Sequence, residues 1–402
     1  IFEGNNYKDT WNFGRATTIQ ASRILATQTS KQYDGVKLNI GTNTEGSNLL
    51  QVGKWSKSYS NVAIWELVFL DHDATEEELT KIKDYFVKTY PWLFPDQAWT
   101  VVGKTNEDED RATIANITGN GNDLLLSNFG FAEGSGYGLY AYNFNSFNLR
   151  DNVVKPTDVK KDSFRMIGTG NSSNVLILLN ESDSADWKIR ITGMKEGDRC
   201  LIGNANKSGE YISVNKDGTY TFQKQYAATS TNGIWYNSSQ EVDVLVEQIP
   251  EYEGYLVTDG VDDKVQSSSF TMNEDWTIVG DWELLSNVQI NCGIVKAQNV
   301  YLYNTANGLL ISINNPRSLQ SLGTKSLHAI CSDGRLYDRN WVEYEYTVDQ
   351  NFAIVESSLN IGFNLNNYTQ IAFKNLGIYN NQILSKDDCI KAYNYLQTLK
   401  AK

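Results

Sequence analysis

Apolar and polar residues alternate along most of the chain, in short runs separated by Gly, Asn, Ser and Asp. Alternation with a period of two is typical of β-strands that have one buried face. Only five residues are Pro, whereas 23 are Tyr, and aromatic residues favour strands. The pattern therefore predicts an all-β protein with polar loops.

One stretch of this alternation occurs twice. Residues 50–70, LQVGKWSKSYSNVAIWELVFL, return as residues 359–379, LNIGFNLNNYTQIAFKNLGIY, at a constant offset of 309 positions. Five identities fall in this one register without a gap: Leu50/Leu359, Gly53/Gly362, Tyr59/Tyr368, Ala63/Ala372 and Leu67/Leu376. The repeat predicts two copies of one strand, turn and strand unit.

A helix is predicted after each copy. Thr75 precedes Glu78, and Ser385 precedes Asp388, by three residues. A hydroxyl three residues before an acid is the spacing of a capping box, which satisfies free amides at a helix start. Apolar residues follow at helical spacing on one face in both copies: Leu79, Ile82 and Phe86, then Cys389, Ala392 and Leu396.

Composition narrows the range of partners. The net charge of −13 and the pI near 4.8 argue against a nucleic-acid partner, because phosphate binding depends on clustered Lys and Arg. No run approaches the roughly 18 apolar residues of a membrane span, so no membrane partner is expected. The four cysteines lack CxxC spacing, and we expect free, mostly buried thiols.

Few residues are suited to catalysis. With two histidines, His72 in an acidic loop and His328 in an apolar strand, a Ser-His-Asp triad or a zinc hydrolase is nearly excluded. A glycosidase needs two acids, and Glu343 and Glu345 are the nearest such pair. Their spacing equally suits the solvent face of a strand, which is the interpretation we favour.

Two motifs resemble the laminin G-like, concanavalin A-like lectin family. Residues 118–124, TGNGNDL, are similar to the family's opening SGNGNDLTL, and residues 254–265, GYLVTDGVDDKV, are similar to its strand and turn GLxFDGVDDYV. The resemblance covers about residues 1–94, 110–138 and 251–402. It implies tandem concanavalin A-like (jelly-roll) β-sandwiches, each ending in a short capped helix.

The resemblance also implies the domain organisation. Residues 1–95 would be the C-terminal part of a first such domain, whose opening strands would lie before Ile1. Residues 96–110, which contain NEDED, would be an acidic linker. The two family motifs lie close together in the family but more than a hundred residues apart here. Residues 111–139 and 251–402 would then form the second domain, interrupted by a small β-sandwich domain at residues 140–250.

Acids and amides in the two motifs could bind calcium: Asp259, Asp262, Asp263, Asn122 and Asp123. Hard cations take clusters of carboxylate and amide oxygens. The same side chains equally serve turns, where they accept hydrogen bonds from local backbone amides, and we favour this structural role. No cofactor is required by the sequence, and calcium is left open.

Aromatic residues make up 12% of the chain, which permits sugar binding by stacking but does not demand it. Many aromatic residues must lie in the core or at interfaces. The side chains expected to be exposed and to bind glycans are Trp341, Tyr344, Tyr346, Tyr301 and Tyr303.

Repeated lectin-like modules, polar β domains and few cysteines resemble structural proteins of tailed phages of gut bacteria, including crAss-like phages. The resemblance implies a non-enzymatic virion surface protein, a head or tail fibre or decoration, which forms homo-oligomers and contacts other virion proteins, and whose lectin-like domains either bind host glycans or only build the fibre. An exported bacterial cell-surface carbohydrate-binding protein is the alternative, and a glycoside hydrolase is the weakest one. Fold alone does not decide among them.

Overall fold

A computed structural model of the chain describes residues 10–13, 24–26, 30–33, 36–39, 49–52, 54–55, 58–59, 75–131, 134–140, 143–146, 148–149, 154–168, 177–178, 187–204, 208–222, 232–285, 292–297, 300–305, 308–313, 320–321, 326–346, 355–364 and 367–401. Within these ranges the protein is mostly β, with several antiparallel sheets. The prediction of a β protein is confirmed at this level.

Short strands and one helix make up the first part of the chain. They are β1 (Thr10–Phe13), β2 (Ile24–Ala26), β3 (Ser30–Tyr33), β4 (Val36–Asn39), β5 (Leu49–Val52), β6 (Lys54–Trp55), β7 (Ser58–Tyr59), α1 (Glu76–Thr89) and a 3-10 helix at Pro91–Leu93. Strands β1 and β5 pair in parallel, while β2, β3 and β4 form an antiparallel sheet. The second strand of the first repeat copy, predicted between residues 59 and 70, and the loop with His72 lie outside the described residues.

Strands resume directly after this helix. They are β8 (Gln97–Thr100), β9 (Thr113–Ile114), β10 (Leu124–Ser127) and β11 (Gly136–Leu139). Strand β8 is buried along its whole length, so the linker expected over residues 96–110 instead begins with a core strand. Its acidic part is also folded, because Lys104 lies 2.6 Å from Asp110 and Asn106 accepts the amide of Tyr137.

The middle of the chain forms its own sheets and its own core. Its strands are β12 (Asn148–Leu149), β13 (Val154–Thr157), β14 (Ser163–Gly168), β15 (Ile177–Leu178), β16 (Trp187–Thr192), β17 (Arg199–Asn204), β18 (Tyr211–Val214), β19 (Gly218–Phe222), β20 (Asn232–Asn237) and β21 (Val242–Ile249), with a 3-10 helix at Phe144–Ser146. A five-stranded sheet runs β13-β14-β21-β16-β19 and a three-stranded sheet β18-β17-β20. Buried side chains between Phe144 and Val246 form one cluster separate from the rest.

The last part of the chain supplies the longest strands. They are β22 (Glu251–Val257), β23 (Lys264–Met272), β24 (Trp276–Leu284), β25 (Cys292–Ala297), β26 (Val300–Thr305), β27 (Gly308–Ile313), β28 (Gln320–Ser321), β29 (Leu327–Cys331), β30 (Arg335–Asp338), β31 (Glu343–Glu345), β32 (Val355–Ile361), β33 (Phe363–Asn364), β34 (Asn367–Tyr368) and β35 (Ile371–Asn380), followed by α2 (Lys386–Gln397).

Two large antiparallel sheets enclose the main core. One sheet runs β28-β27-β26-β25-β32-β23-β10-β9, and the other runs β11-β22-β35-β24-β29-β30-β31, with β8 paired to β35. Strands from both sheets bury side chains in one cluster, for example Val265 and Leu359 from the first and Trp282 and Phe373 from the second. Such burial from both sides makes the pair a β-sandwich.

Helix α2 covers the outer face of the second sheet. Its buried residues Cys389, Ala392 and Leu396 pack in a cluster with sheet residues such as Val279 and Ala329, which point away from the sandwich core. Gly377 of β35 permits this close approach, since a Cβ there would lie 3.2 Å from Cδ1 of Leu396. The helical face predicted from spacing is therefore the one that is buried.

The internal repeat is visible in the backbone. Hairpin β6-β7 pairs Lys54 with Tyr59, and hairpin β33-β34 pairs Phe363 with Tyr368. The two hairpins begin and end 309 positions apart, which is the offset of the sequence repeat. Up to Tyr59 the two copies thus share strand positions as well as sequence.

Both predicted helix caps are present. Thr75 accepts the amide of Glu78 at 3.3 Å and donates its own amide to the Glu78 carboxylate at 2.9 Å, a complete capping box. Ser385 accepts the amide of Asp388 at 3.2 Å in the same way. In the described part of the chain, neither helix is long and apolar enough to cross a membrane.

Candidate functional site

The aromatic residues expected to be exposed do not form one platform. Tyr346 is buried in the sandwich core, and its hydroxyl donates to the carbonyl of Cys331. Tyr344 is half-buried, packs against the same core and lies 3.3 Å from Asp338 through its hydroxyl. The expectation that these two tyrosines are exposed is wrong, because they alternate with Glu343 and Glu345, which take the solvent side of the strand.

Tyr301 and Tyr303 both lie in strand β26, two positions apart and hence on one face of the sheet. Their side chains are outside the described residues.

Trp341 lies on the opposite side of the second sheet from Tyr346. Asp338 builds the turn that holds it, since its Oδ1 accepts the amides of Asn340 at 2.8 Å and Val342 at 2.9 Å. Within that turn Trp341 has a φ of 59°. Its half-buried indole packs edge-on against the rings of His328 and Tyr393, with ring centres 5.4 Å and 5.7 Å apart, respectively.

A polar and aromatic group surrounds Trp341 near the C-terminal end of α2. We call it the outer-face cluster, and it consists of Tyr255, Asp281, Glu283, His328, Arg339, Trp341 and Tyr393. At its centre the buried Asp281 carboxylate accepts three hydrogen bonds through Oδ2, from the Tyr255 hydroxyl at 2.9 Å, the Tyr393 hydroxyl at 3.2 Å and Nε2 of Gln397 at 3.1 Å.

Charges at the edge of the cluster are balanced. Arg339 donates to Oε2 of Glu283 at 3.0 Å, and both side chains are partly exposed. Lys374 places its ammonium 5.4 Å from the centre of the Tyr255 ring. Two acids and two bases therefore lie on this part of the sheet.

Protonation in the cluster follows from burial. Burial raises the pKa of the Tyr255 and Tyr393 phenols, and the neighbouring Asp281 raises both further, so both hydroxyls stay protonated and donate. Burial also lowers the pKa of His328. His328 is thus a neutral imidazole at neutral pH, stacked on Tyr393 with ring centres 4.2 Å apart.

The second candidate site is the acidic turn Asp259, Asp262 and Asp263, whose carboxylate oxygens lie within 4.8 Å of one another. Asp259 Oδ1 accepts the amides of Val261 at 2.7 Å and Asp262 at 3.2 Å, and Asp263 Oδ2 accepts the amide of Asp259 at 2.7 Å. These bonds are the turn chemistry favoured from the sequence.

Oδ1 of Asp263 is buried and has no hydrogen-bond partner, so this turn holds at least one carboxylate oxygen that is available as a calcium ligand. Burial, with the nearby Asp259 and Asp262 charges, raises the pKa of Asp263 to about 7. Protonation of Asp263 relieves the repulsion among the three acids without a cation. The carboxylates have the right chemistry for calcium, but the turn does not need it.

Asn122 and Asp123 do not join the acidic turn. Leu124, which follows Asp123, pairs with Ser267, whereas Ser127 pairs with Lys264 beside Asp263, so the two sets lie at opposite ends of the β10-β23 pairing. Asp123 accepts the amide of Asn116 at 2.8 Å, and Asn122 accepts the hydroxyl of Ser268 at 2.7 Å. The five residues therefore do not make one ligand set.

Sequence reasoning found only Trp341 of the outer-face cluster. Its other members come from three strands, a turn and α2, spread from Tyr255 to Tyr393, and no short motif joins them. The one local signal was the pair Asp281 and Glu283, which share a face of β24 on either side of the inward Trp282.

The chain matches no protein-family model and no curated protein. Among solved structures it is similar to the Trypanosoma rangeli sialidase in complex with sialic acid, with 9% identity, over 71% of this chain and 67% of that chain, at a TM-score of 0.29. A likeness at that score carries no argument about fold or activity.

Proposed function

We propose that this protein is a non-enzymatic structural protein of a virion, part of a head or tail fibre or decoration, whose sandwich binds glycans on the host surface. The observation that carries the proposal is the outer-face cluster, in which aromatic rings and hydrogen-bonding groups meet on a rigid sheet. Sugars are bound by such a combination of ring faces and polar groups. Tandem concanavalin A-like jelly rolls are part of the proposal, supported by the two hairpins at the repeat offset.

Binding is favoured over hydrolysis because both acids of the cluster already have partners. Asp281 is buried and accepts three hydrogen bonds, and Glu283 is paired with Arg339. A glycosidase needs one carboxylic acid and one free carboxylate facing each other across the sugar bond. Engaged acids instead serve to fix rings and donors in place.

Two measurements test the proposal. Purified virions analysed by mass spectrometry should contain this chain, and the full chain should bind members of a glycan array without releasing sugar. Absence from virions together with location on a bacterial envelope would favour the cell-surface carbohydrate-binding protein instead. Release of reducing sugar from an array member would overturn the non-enzymatic assignment.

A further inference from the structure

Together with Lys374, which lies beside Tyr255, the outer-face cluster forms a row across five neighbouring strands of the second sheet, in the order β22, β35, β24, β29 and β30. Tyr255, Lys374, Asp281 and His328 come from the first four strands, and Arg339 follows β30. Side chains on paired strands of a sheet are held in fixed positions. The row therefore presents its groups in one rigid arrangement.

One end of the row is closed and the other is open. Near α2, which ends at Gln397, Asp281 is 4% and His328 6% exposed. Further along, the side chains of Glu283 and Arg339 are 29% and 48% exposed. A ligand can approach the Glu283–Arg339 pair from solvent, with the buried groups as the floor beneath it.

The charges of the row select an uncharged ligand. Asp281 and Glu283 would repel an anion, and Lys374 and Arg339 would repel a cation, whereas hydroxyl groups suit both kinds of partner. A hydroxyl donates to a carboxylate and accepts from a guanidinium, so the Glu283–Arg339 pair can hold two neighbouring hydroxyls. A neutral polyol can therefore satisfy both members of this pair at once.

Two aromatic residues beside the row have backbones in an unfavourable region, Tyr252 near the open end and Trp341 in contact with His328. Trp341 has a φ of 59° and Tyr252 a φ of 55°. The left-handed region is unfavourable for a residue other than Gly, and such strain is concentrated at functional sites. Tyr252 meets Tyr255 edge-on at 6.1 Å, and the charges of Glu283 and Arg339 influence its hydroxyl. Both rings are partly exposed, as stacking on a sugar requires.

His328 adds an unsatisfied polar atom. Its Nδ1 is buried and has no hydrogen-bond partner among the described residues. A buried polar atom without a partner is unfavourable. The imidazole contacts Trp341 edge-on, so this unsatisfied atom lies in the same cluster as the exposed Glu283–Arg339 pair.

We propose that the outer-face cluster is the sugar site of this protein and that it takes a neutral pyranose. One pyranose face stacks on Trp341, while two adjacent hydroxyls bind the Glu283–Arg339 pair. This inference rests on the glycan-binding part of the proposed function and adds to it the site and the class of sugar.

The test uses the full chain with methyl glycosides of glucose, galactose and mannose as neutral probes. N-acetylneuraminic acid and glucosamine serve as the anionic and cationic probes. Saturation-transfer NMR and calorimetry measure binding to the wild type, Arg339→Ala and Glu283→Gln. Arg165→Ala is the matched control, because the Arg165 side chain is about as exposed as that of Arg339 and forms an ion pair with Asp243 at 2.5 Å in a different sheet, at β14.

We expect a neutral glycoside to bind and the charged probes not to bind. Arg339→Ala and Glu283→Gln should each weaken binding by about tenfold or more, the effect of losing one charged hydrogen bond. Arg165→Ala should leave the Kd unchanged. Equal binding by Arg339→Ala and Arg165→Ala, preference for a charged probe, or no binding of any neutral probe would each overturn the inference.

These outcomes are separable from the failure of the proposed function. Glycan binding that Arg339→Ala does not alter would leave the lectin role intact and move the site elsewhere. Binding that depends on Arg339 in a chain absent from purified virions would keep the site and remove the virion role. Circular dichroism of each variant shows whether a loss of binding reflects a loss of fold.

Discussion

Trp99 decides whether β8 belongs to the sandwich or to a linker. The sequence places this residue in the expected linker, whereas in the structure it is fully buried in the main core. Its indole donates to the carbonyl of Asn122 at 2.9 Å and lies 6.4 Å from the ring of Phe270. Backbone pairing of Trp99 with Leu376 ties the same residue to the central strand β35.

The cost of Trp99→Ala can be worked from this burial. A buried Trp removes about 150–250 Å² from water, which at about 25 cal/mol per Å² is worth roughly 4–6 kcal/mol. Part of that area is already covered in the unfolded chain, and the alanine keeps its own share. We therefore expect Trp99→Ala to lower the free energy of unfolding of the sandwich by about 3–5 kcal/mol.

Two further variants separate the contributions. Trp99→Phe keeps most of the packing but leaves the Asn122 carbonyl without its donor, and it should cost about 2 kcal/mol. Leu125→Ala, on the neighbouring part of β10, changes a side chain that is 56% exposed and should cost no more than about 0.5 kcal/mol.

Hydrogen exchange with mass spectrometry in low denaturant is the suitable assay, because a chain with more than one core does not unfold as one unit. Peptides from β24 and β35 report the opening of the sandwich alone. If Trp99→Ala changes their opening free energy by less than about 1 kcal/mol, as Leu125→Ala should, then β8 is not part of this core and the reasoning fails.

Other features give shorter predictions. Ser385→Ala should destabilise α2 by about 1 kcal/mol in exchange experiments, while Ser385→Asp, which keeps an acceptor, should change little; equal losses would contradict the cap. The pKa of Asp263 is raised to about 7 in the folded protein, so the protonated carboxyl stabilises the fold fully below about pH 4, and this stabilisation is lost as the pH rises through 7. The melting temperature of Asp263→Asn should not show this fall with pH. Cys331 and Cys389 are free and buried, so a thiol reagent should label them only in denaturant, and fast labelling of either of these two residues in the native chain, located by peptide mapping, would refute their burial. Because backbone amides already hold the acidic turn, melting temperatures in chelator and in millimolar calcium should agree within about 1 °C, and a rise of several degrees would show calcium binding.

Helix caps, helix faces and hairpins were predictable because each depends on residues close together in the sequence. Thr75 and Ser385 cap helices since a hydroxyl and the amide three positions later meet whatever surrounds them. Leu396 and Cys389 are buried as the helical spacing indicates. The two hairpins of the repeat lie at the sequence offset because the strand register of a hairpin this short is fixed by its own turn.

Longer-range features were not predictable from pattern alone. Residues 96–110 have the composition of a linker, yet β8 at their start pairs with β35, which lies almost 280 positions later in the chain. Tyr344 and Tyr346 were expected outside, although the assignment of Glu343 and Glu345 to the solvent face of the same strand already implies that the tyrosines face inward. The alternation in WVEYEY therefore predicted the correct face, and the expected exposure of the tyrosines was wrong.

The outer-face cluster shows where such reasoning could have gone further. Asp281 and Glu283 flank Trp282 in a strand otherwise fully buried, and two acids on the covered face of a core strand need partners that the strand cannot supply. The partners come from β22, α2 and the turn after β30: Tyr255, Tyr393 and Arg339. An acid pair on a buried strand thus predicts a polar site on that face before its partners are known. Sugar binding by Arg339→Ala tests whether that site binds a ligand or only joins α2 to the sheet. A purely structural role would leave sugar binding unchanged in this variant.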